Sequence, residues 1–225
     1  MVAELIGAKK MSSDFKPEFF RRLDDSEDEN FYSAPRFVVH IDDGAIAKVG
    51  EIYAQLLPQG GAILDLMSSW RTHLTAHTRP ARVVGVGLNR DEMADNPQLT
   101  EAIVHNVNAN PRLPLDDAQF DGAIMTVSVQ YLIRPVETFS EVGRVLKPGA
   151  PFIATFSNRM FPTKAVAIWQ MLDERDRIGL VGRYFKDSSA FEKIDAIDKS
   201  APTDPPSDPV YAVVGYRVAD WKPVT

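Results

Sequence analysis

The sequence predicts an α/β fold: one domain on a mostly parallel sheet, with helices on both faces and an antiparallel strand pair at its C-terminal end. Three observations carry that expectation. Short, continuously apolar runs recur from residue 62 onward, as strands buried on both faces require. Stretches with apolar residues at helical spacing separate them. The last two strand-like runs follow one another with only a loop between, which calls for a hairpin.

In chain order, residues 1–30 are polar and acidic towards their end ("RRLDDSEDENF") and read as a flexible arm, leaving 31–225 as a single domain. Ile46, Val49, Ile52, Tyr53, Leu56 and Leu57 share a helical face, with Asp42 or Asp43 to cap its start and Pro58 to end it. "AILDL" and "ARVVGVGL" are the first two strands, "EAIVHNV" the third and "FDGAIMTVS" the fourth. "RPVETFSEVGRVLKPG" is a helix with Pro135 suited to its first turn and Lys147-Pro148-Gly149 closing it. "APFIATFS" is the fifth strand, residues 162–185 carry helical periodicity in one or two pieces, and "FEKIDAIDK" with "DPVYAVVGYRV" forms the closing pair.

Composition narrows the chemistry. The chain has 225 residues, a formal net charge of −6 and no cysteine, so disulfides, thiolate catalysis and Cys-based zinc sites are excluded. No basic block interleaves with aromatics, which argues against nucleic acid as partner. No window approaches the ~18 apolar residues that span a bilayer, and no leader pattern opens the chain, so a cytoplasmic protein without membrane contact is expected. A small-molecule substrate is the expected partner, and a homodimer is left open.

Within this frame, Leu113-Pro114, Phe120-Asp121 and Glu141 through Gly149 give an "LP…FD…E..RVLKPG" pattern around the fourth strand. That pattern resembles the second half of the class I S-adenosylmethionine-dependent methyltransferases, a superfamily with a Rossmann-like seven-stranded sheet and a C-terminal antiparallel hairpin. The resemblance covers roughly residues 32–218 and implies S-adenosyl-L-methionine as cofactor. Open α/β sheets bind ligands beyond the carboxyl ends of their strands at the switch in strand order. The cleft is therefore expected between Asp65–Trp70, Gly87–Asn89, Asn106–Asn108 and Thr126–Tyr131, with "FYSAPRFVVHIDD" over it as a lid.

Two departures stand out. Where the family's first motif resembles D-x-G-x-G-x-G, this chain reads Asp65-Leu-Met-Ser-Ser-Trp-Arg, with no glycine after the acid. Serine forced into the left-handed region costs on the order of 1 kcal/mol, which a rebuilt loop of ordinary dihedrals avoids. Ser68 or Ser69 then offers a hydroxyl to the cofactor and Trp70 shields the site; equally, both serines cap a helix and Trp70 belongs to the core. The second departure is Gly87, aligned with the acid that grips the ribose hydroxyls in the family, with Asn89 as a neutral substitute two residues on.

The resemblance thus implies cofactor contacts from Asp65, Met67, Ser68, Gly87, Leu88, Asn89, Ser128 and one of Asn106 or Asn108, the last near the adenine. Met93 falls where an apolar residue packs near that ring, and Asp91 and Glu92 fit the first turn of a helix. For chemistry, His40 is the candidate base and Tyr131 a second catalytic candidate, each weighed against a lid or packing role. Arg36, Gln130, Asn158 and Arg159 are the candidate acceptor contacts. His73 and His77 are spaced as a helical metal pair without an acidic neighbour or third ligand, so no metal is expected. "MSSW" is no nucleophile elbow. In "VGVGLNR", Arg90 stands at the third glycine position and the turn follows the second strand, not the first, which argues against a dinucleotide. Methyl transfer to a small acceptor is the leading reading, and a catalytically inactive binding or assembly protein on the same scaffold the alternative.

Overall fold

A computed structural model describes residues 15–222. Helix α1 (Asp28–Phe31) is a single turn, and α2 (Asp43–Leu56) precedes the sheet. Strands β1 (Ala62–Leu66), β2 (Arg82–Gly87), β3 (Glu101–Val104), β4 (Gly122–Thr126) and β5 (Pro151–Phe156) follow, with α3 (Arg90–Ala94) after β2 and α4 (Pro135–Val145) after β4. Helices α5 (Ala167–Met171) and α6 (Glu174–Asp187) lead to β6 (Phe191–Asp198) and β7 (Tyr211–Arg217). The seven strands run in the order β3-β2-β1-β4-β5-β7-β6. β1 to β5 are parallel, and β7 pairs antiparallel with both β5 and β6. Strand order reverses between β1 and β4, and the parallel run of β1 to β5 is what the alternation of apolar runs and amphipathic helices leads one to expect.

Each face has its own core. On one, Ala45, Val49, Ile52 and Tyr53 of α2 meet Ile63, Val83, Ile124, Ile153 and Val214. Asp42 starts that helix by accepting from the Ala45 N–H, which satisfies one of the unpaired donors of the first turn. On the other face, α4 and α6 bury an aromatic cluster in which Phe139 meets Phe185 at 4.7 Å and Phe152 at 4.9 Å.

The "LP…FD…E..RVLKPG" pattern has a structural explanation. Asp121 accepts from the Ala62 N–H at 2.9 Å and pairs with Lys147 at 2.7 Å. Glu141 accepts from the Leu113 N–H, and Arg144 donates to Glu141 and to the Leu113 carbonyl. These residues bolt the segment before β4 to the end of α4 and to the start of β1. Phe120, Glu141 and Arg144 do not line the cleft described below.

Two expectations are revised. Of the segment read as a flexible arm, residues 1–14 lie outside the described residues; from Phe15 on the chain is docked. Phe15, Phe19 and Phe20 pack on the core beside Tyr184, and backbone bonds Asp24 N–H to Thr163 O and Ala167 N–H to Arg21 O fasten it. Apolar side chains scattered among the charges, invisible to an average over composition, supply the contact. The second revision concerns residues 67–81, which cross from β1 to β2 without a helix. No serine caps one, and α2 covers that face instead.

Candidate active site

At the carboxyl ends of β1, β2, β3 and β4 lies a cavity of about 260 Å³, closed on one side by residues 28–40. Its shape follows from how the β1 loop is laid down. Met67, where the first loop glycine is expected, takes φ +55°, so the glycine-type backbone persists there under a side chain. The next residues do not follow it into positive φ. Ser68 instead donates its N–H to the Val86 carbonyl at 2.9 Å and its Oγ to Asp65 Oδ2 at 2.7 Å. The loop thereby lies directly on β2. A Cβ on Gly87 would stand 2.2 Å from the Ser68 carbonyl oxygen, and one on Gly85 would stand 3.0 Å from Ser68 Oγ. Gly87 therefore makes room for a loop that has no glycine, while Gly85 makes room first for Leu99, 2.5 Å from such a Cβ, and then for Ser68. The missing loop glycines and the missing acid at position 87 are one coupled feature.

Asp65 sits beneath this loop, 3% exposed. Burial pushes its carboxyl up to about 7, against hydrogen bonds from Ser68 and Thr72 that favour the ionised form. It borders a smaller cavity of about 80 Å³ with His73 and Trp70. At the neighbouring strand end, Val127 takes φ +48°. A β-branched residue there is strained, so both strands at the switch point end in an unfavourable backbone. Ser128, next along and 7% exposed, has an Oγ without a partner.

The roof is sewn down by side chains. Asn89 caps α3 by accepting from the Asp91 and Glu92 N–H groups, and its amide donates to the Tyr32 and Ser33 carbonyls. Asn106 donates to Glu29, and Asn108 to Asp28 and the Tyr131 carbonyl. Glu92 takes the Arg36 N–H on one oxygen and Ser69 Oγ on the other, each at 2.6 Å. Inside, Asp28 is held by Arg22 at 2.5 Å and lies 3.6 Å from the fully buried Lys164. Phe161 is ringed by His40 at 4.9 Å, Phe31 at 5.4 Å and Tyr131 at 6.0 Å between centroids.

Residues 68–154 match the model of a methyltransferase domain family. That match lies within the 3-2-1-4-5-7-6 sheet that sets the architecture. The fold is that of the class I S-adenosylmethionine-dependent methyltransferases. An 80-residue stretch is 32% identical to the biotin biosynthesis bifunctional protein BioHC of Teredinibacter turnerae, covering 36% of this chain and 14% of that protein. Among solved structures, the [4+2]-cyclase SpnF superposes with a TM-score of 0.60 at 14% identity, over 84% of this chain and 91% of that one. Geranyl diphosphate C-methyltransferase from Streptomyces coelicolor, in complex with Mg2+, geranyl diphosphate and S-adenosyl-L-homocysteine, gives 0.53 at 16%, over 76% and 77%. Such distant likenesses speak for the methyltransferase fold alone.

On that fold, the cavity is lined by His40, Tyr131, Met67, Ser68, Gly87, Leu88, Asn89, Asn106, Asn108, Ser128, Arg36 and Arg159. Three expected residues lie elsewhere. Asp65 is beneath the loop, as described. Gln130 is fully buried and turns its amide to the Val127 and Arg159 carbonyls. Asn158 is exposed, beside Ser157 Oγ, and does not border the cavity. Met93 is buried beneath Gly87, its sulfur 3.1 Å from where a Cβ would be. Trp70 points outward, its Nε1 donating to the Val38 carbonyl and its ring against Phe37, and leaves the larger cavity free. His73 and His77 share no helix, and no group of potential metal ligands occurs among the described residues.

Sequence reasoning missed Asp28, Tyr32, Glu92, His105 and Phe161 as cavity residues. Asp28 belongs to the segment read as an arm, whereas Tyr32 falls in the stretch expected as a lid without being singled out there. His40 is held below the ordinary histidine range by burial and by Arg36, with Glu92 opposing. It is therefore mostly neutral at pH 7 and able to accept a proton. Tyr131 is raised by burial and takes the Phe161 N–H on its hydroxyl oxygen at 2.9 Å, so its phenol stays protonated and positions Phe161.

Proposed function

We propose that this chain is an S-adenosylmethionine-dependent methyltransferase acting on a small-molecule acceptor in the cavity at the switch point. The observation that carries the reading is Ser128 at the end of β4, a residue that lines a cleft of about 260 Å³ and whose buried Oγ has no partner among the described residues. That volume is near the lower end of the ~300–1,000 Å³ common for ligand sites, and buried polar groups without partners are rare in finished structures. The residues present fit an adenosyl group. Leu88 and Val107 offer apolar walls, Gly87 and Ser68 offer backbone, and Ser128 a hydroxyl. Asn89 and Asn108 contribute through the roof they hold, since their amides are already engaged there.

Bound in the cleft, the cofactor would supply a methyl group on a positively charged sulfur, already activated for transfer. What remains for the protein is orientation and exclusion of water. The roof of residues 28–40 excludes water, the rings of Phe161 and Tyr131 orient an acceptor, and neutral His40 takes the acceptor's proton where it has one. The S-adenosyl-L-homocysteine complex of the geranyl diphosphate C-methyltransferase is in keeping with this assignment.

Calorimetric titration of the full chain with S-adenosylmethionine and S-adenosylhomocysteine tests it. Sub-millimolar binding is expected, weakened roughly two- to tenfold by Ser128→Ala through the loss of one hydrogen bond of ~0.5–1.5 kcal/mol. No heat and no thermal shift with millimolar ligand would instead favour a non-catalytic binding role for the same scaffold.

A further inference from the structure

Among the described residues, Asp28 and Arg159 at the cavity are ion-paired, while Glu92 and Arg36 are held by uncharged partners. Asp28 is held by Arg22 and Asn108. Glu92 has a donor on each oxygen, and Arg159 is paired with Asp208 at 2.9 Å. Arg36 differs. Its N–H is pinned by Glu92, its Nη2 donates to the Phe31 carbonyl at 2.8 Å, and its guanidinium lies 4.5 Å above the Phe31 ring centroid. Its Nη1 is buried and has no hydrogen-bond partner, and among the described residues the guanidinium forms no ion pair. A permanently charged, planar group is thus held at the cavity wall with one nitrogen, Nη1, without a partner among the described residues. Such a fork matches a carboxylate in geometry as well as charge.

The surroundings narrow what carries that anion. Phe161 stands 5.7 Å from the same guanidinium, and its ring continues into Tyr131 on one side and His40 on the other. Aromatic walls of this kind favour a flat partner by offset or edge contacts. We propose that Arg36 receives the carboxylate of a planar aromatic methyl acceptor whose ring lies against Phe161 and Tyr131. The assignment rests on the cofactor reading above, in which Gly87, Leu88, Val107 and Ser128 take the adenosyl group and Arg36, Phe161 and Tyr131 are left to the acceptor.

The probes are benzoate and its neutral isostere benzamide, titrated into full-length protein saturated with S-adenosylhomocysteine. Benzoate is expected to bind on the order of tenfold tighter than benzamide. Arg36→Met should abolish the preference, and Arg36→Lys, which keeps the charge without the planar fork, should reduce it. In parallel, each variant is titrated with S-adenosylhomocysteine and with 5′-methylthioadenosine, which lacks the carboxylate. The ratio of these two affinities should stay unchanged in both variants. Equal binding of benzoate and benzamide overturns the proposal. So does a selective loss of S-adenosylhomocysteine affinity in Arg36→Met, because it would put Arg36 on the cofactor's own carboxylate. If S-adenosylhomocysteine fails to bind wild-type protein, the cofactor reading falls. An Arg36-dependent preference for benzoate in the ligand-free chain would still sustain the anion site.

Discussion

Around β4, α4 and β5 the chain is regular and reaches the cleft at the ends of β4 and β5, whereas β1 and β2 are joined beside it by the irregular crossing of residues 67–81. In the first region a proline-started helix, the Glu141–Arg144 pair and the Asp121–Lys147 pair fix every turn around a packed aromatic core. In the second, a loop is pressed onto a strand stripped of side chains at Gly85 and Gly87, with a buried carboxyl beneath it. Both halves contribute residues to the ligand wall, the first through Ser128, Tyr131 and Phe161 and the second through Ser68 and Gly87. The residues of the "LP…FD…E..RVLKPG" pattern, by contrast, do not line the cavity.

Substitutions in each half sharpen this contrast. The largest effect is expected in the regular half, where Phe139→Ala removes a fully buried ring from between Phe152 and Phe185. A loss of about 3–5 kcal/mol in chemical denaturation is expected, with little change in adenosyl binding per folded molecule. Next is Gly87→Ala. Its Cβ would collide with the Ser68 carbonyl at 2.2 Å, so a loss of about 3 kcal/mol, at the upper end of overpacking penalties, is expected together with weaker adenosyl binding. An unchanged denaturation midpoint there would break the idea that loop and strand are coupled.

A pH-dependent difference follows. The Asp65 carboxyl, at about 7, lies above its unfolded value of roughly 3.9. Over that interval the native chain binds more protons than the unfolded one, so Asp65 makes stability fall as pH rises from about 4 towards 7. His73, lowered by burial to about 4, acts in the opposite sense, since its neutral native form gains stability as pH rises towards roughly 6.5. Comparing Asp65→Asn with wild type cancels the histidine. The difference should move in the variant's favour across that window and level off above it, as measured by unfolding midpoints at a series of pH values. A flat difference would mean the carboxyl is not desolvated. The smallest effect is expected from Met67→Gly. Relief of ~1–2 kcal/mol of left-handed strain is partly offset by ~0.5–1 kcal/mol of added freedom in the unfolded chain. A net gain between about 0 and 1.5 kcal/mol should appear as a small rise in thermal midpoint.

The same contrast explains what could be read from the residues alone. The strands, the closing hairpin and the α2 face were legible because each rests on a pattern carried by several positions, such as Ala45, Val49, Ile52 and Tyr53. The position of the cleft followed from topology. Asp65, Gln130 and Asn158 were misplaced because one or two atoms decide whether a side chain at a strand end turns into a cavity or away from it. The role of Gly85 and Gly87 was hidden for another reason. A residue whose function is to be absent leaves no pattern until the loop lying on it, twenty positions away in sequence, is seen.

The asparagine-stitched roof has a consequence for traffic. Asn89, Asn106 and Asn108 spend their amides on the chain's own residues 28–33, so any solute that wants those groups competes with a tethered rival at high local concentration. The cleft should admit molecules at the pace of roof opening, and shaving the roof back to residue 41 should speed both arrival and escape while shortening the stay.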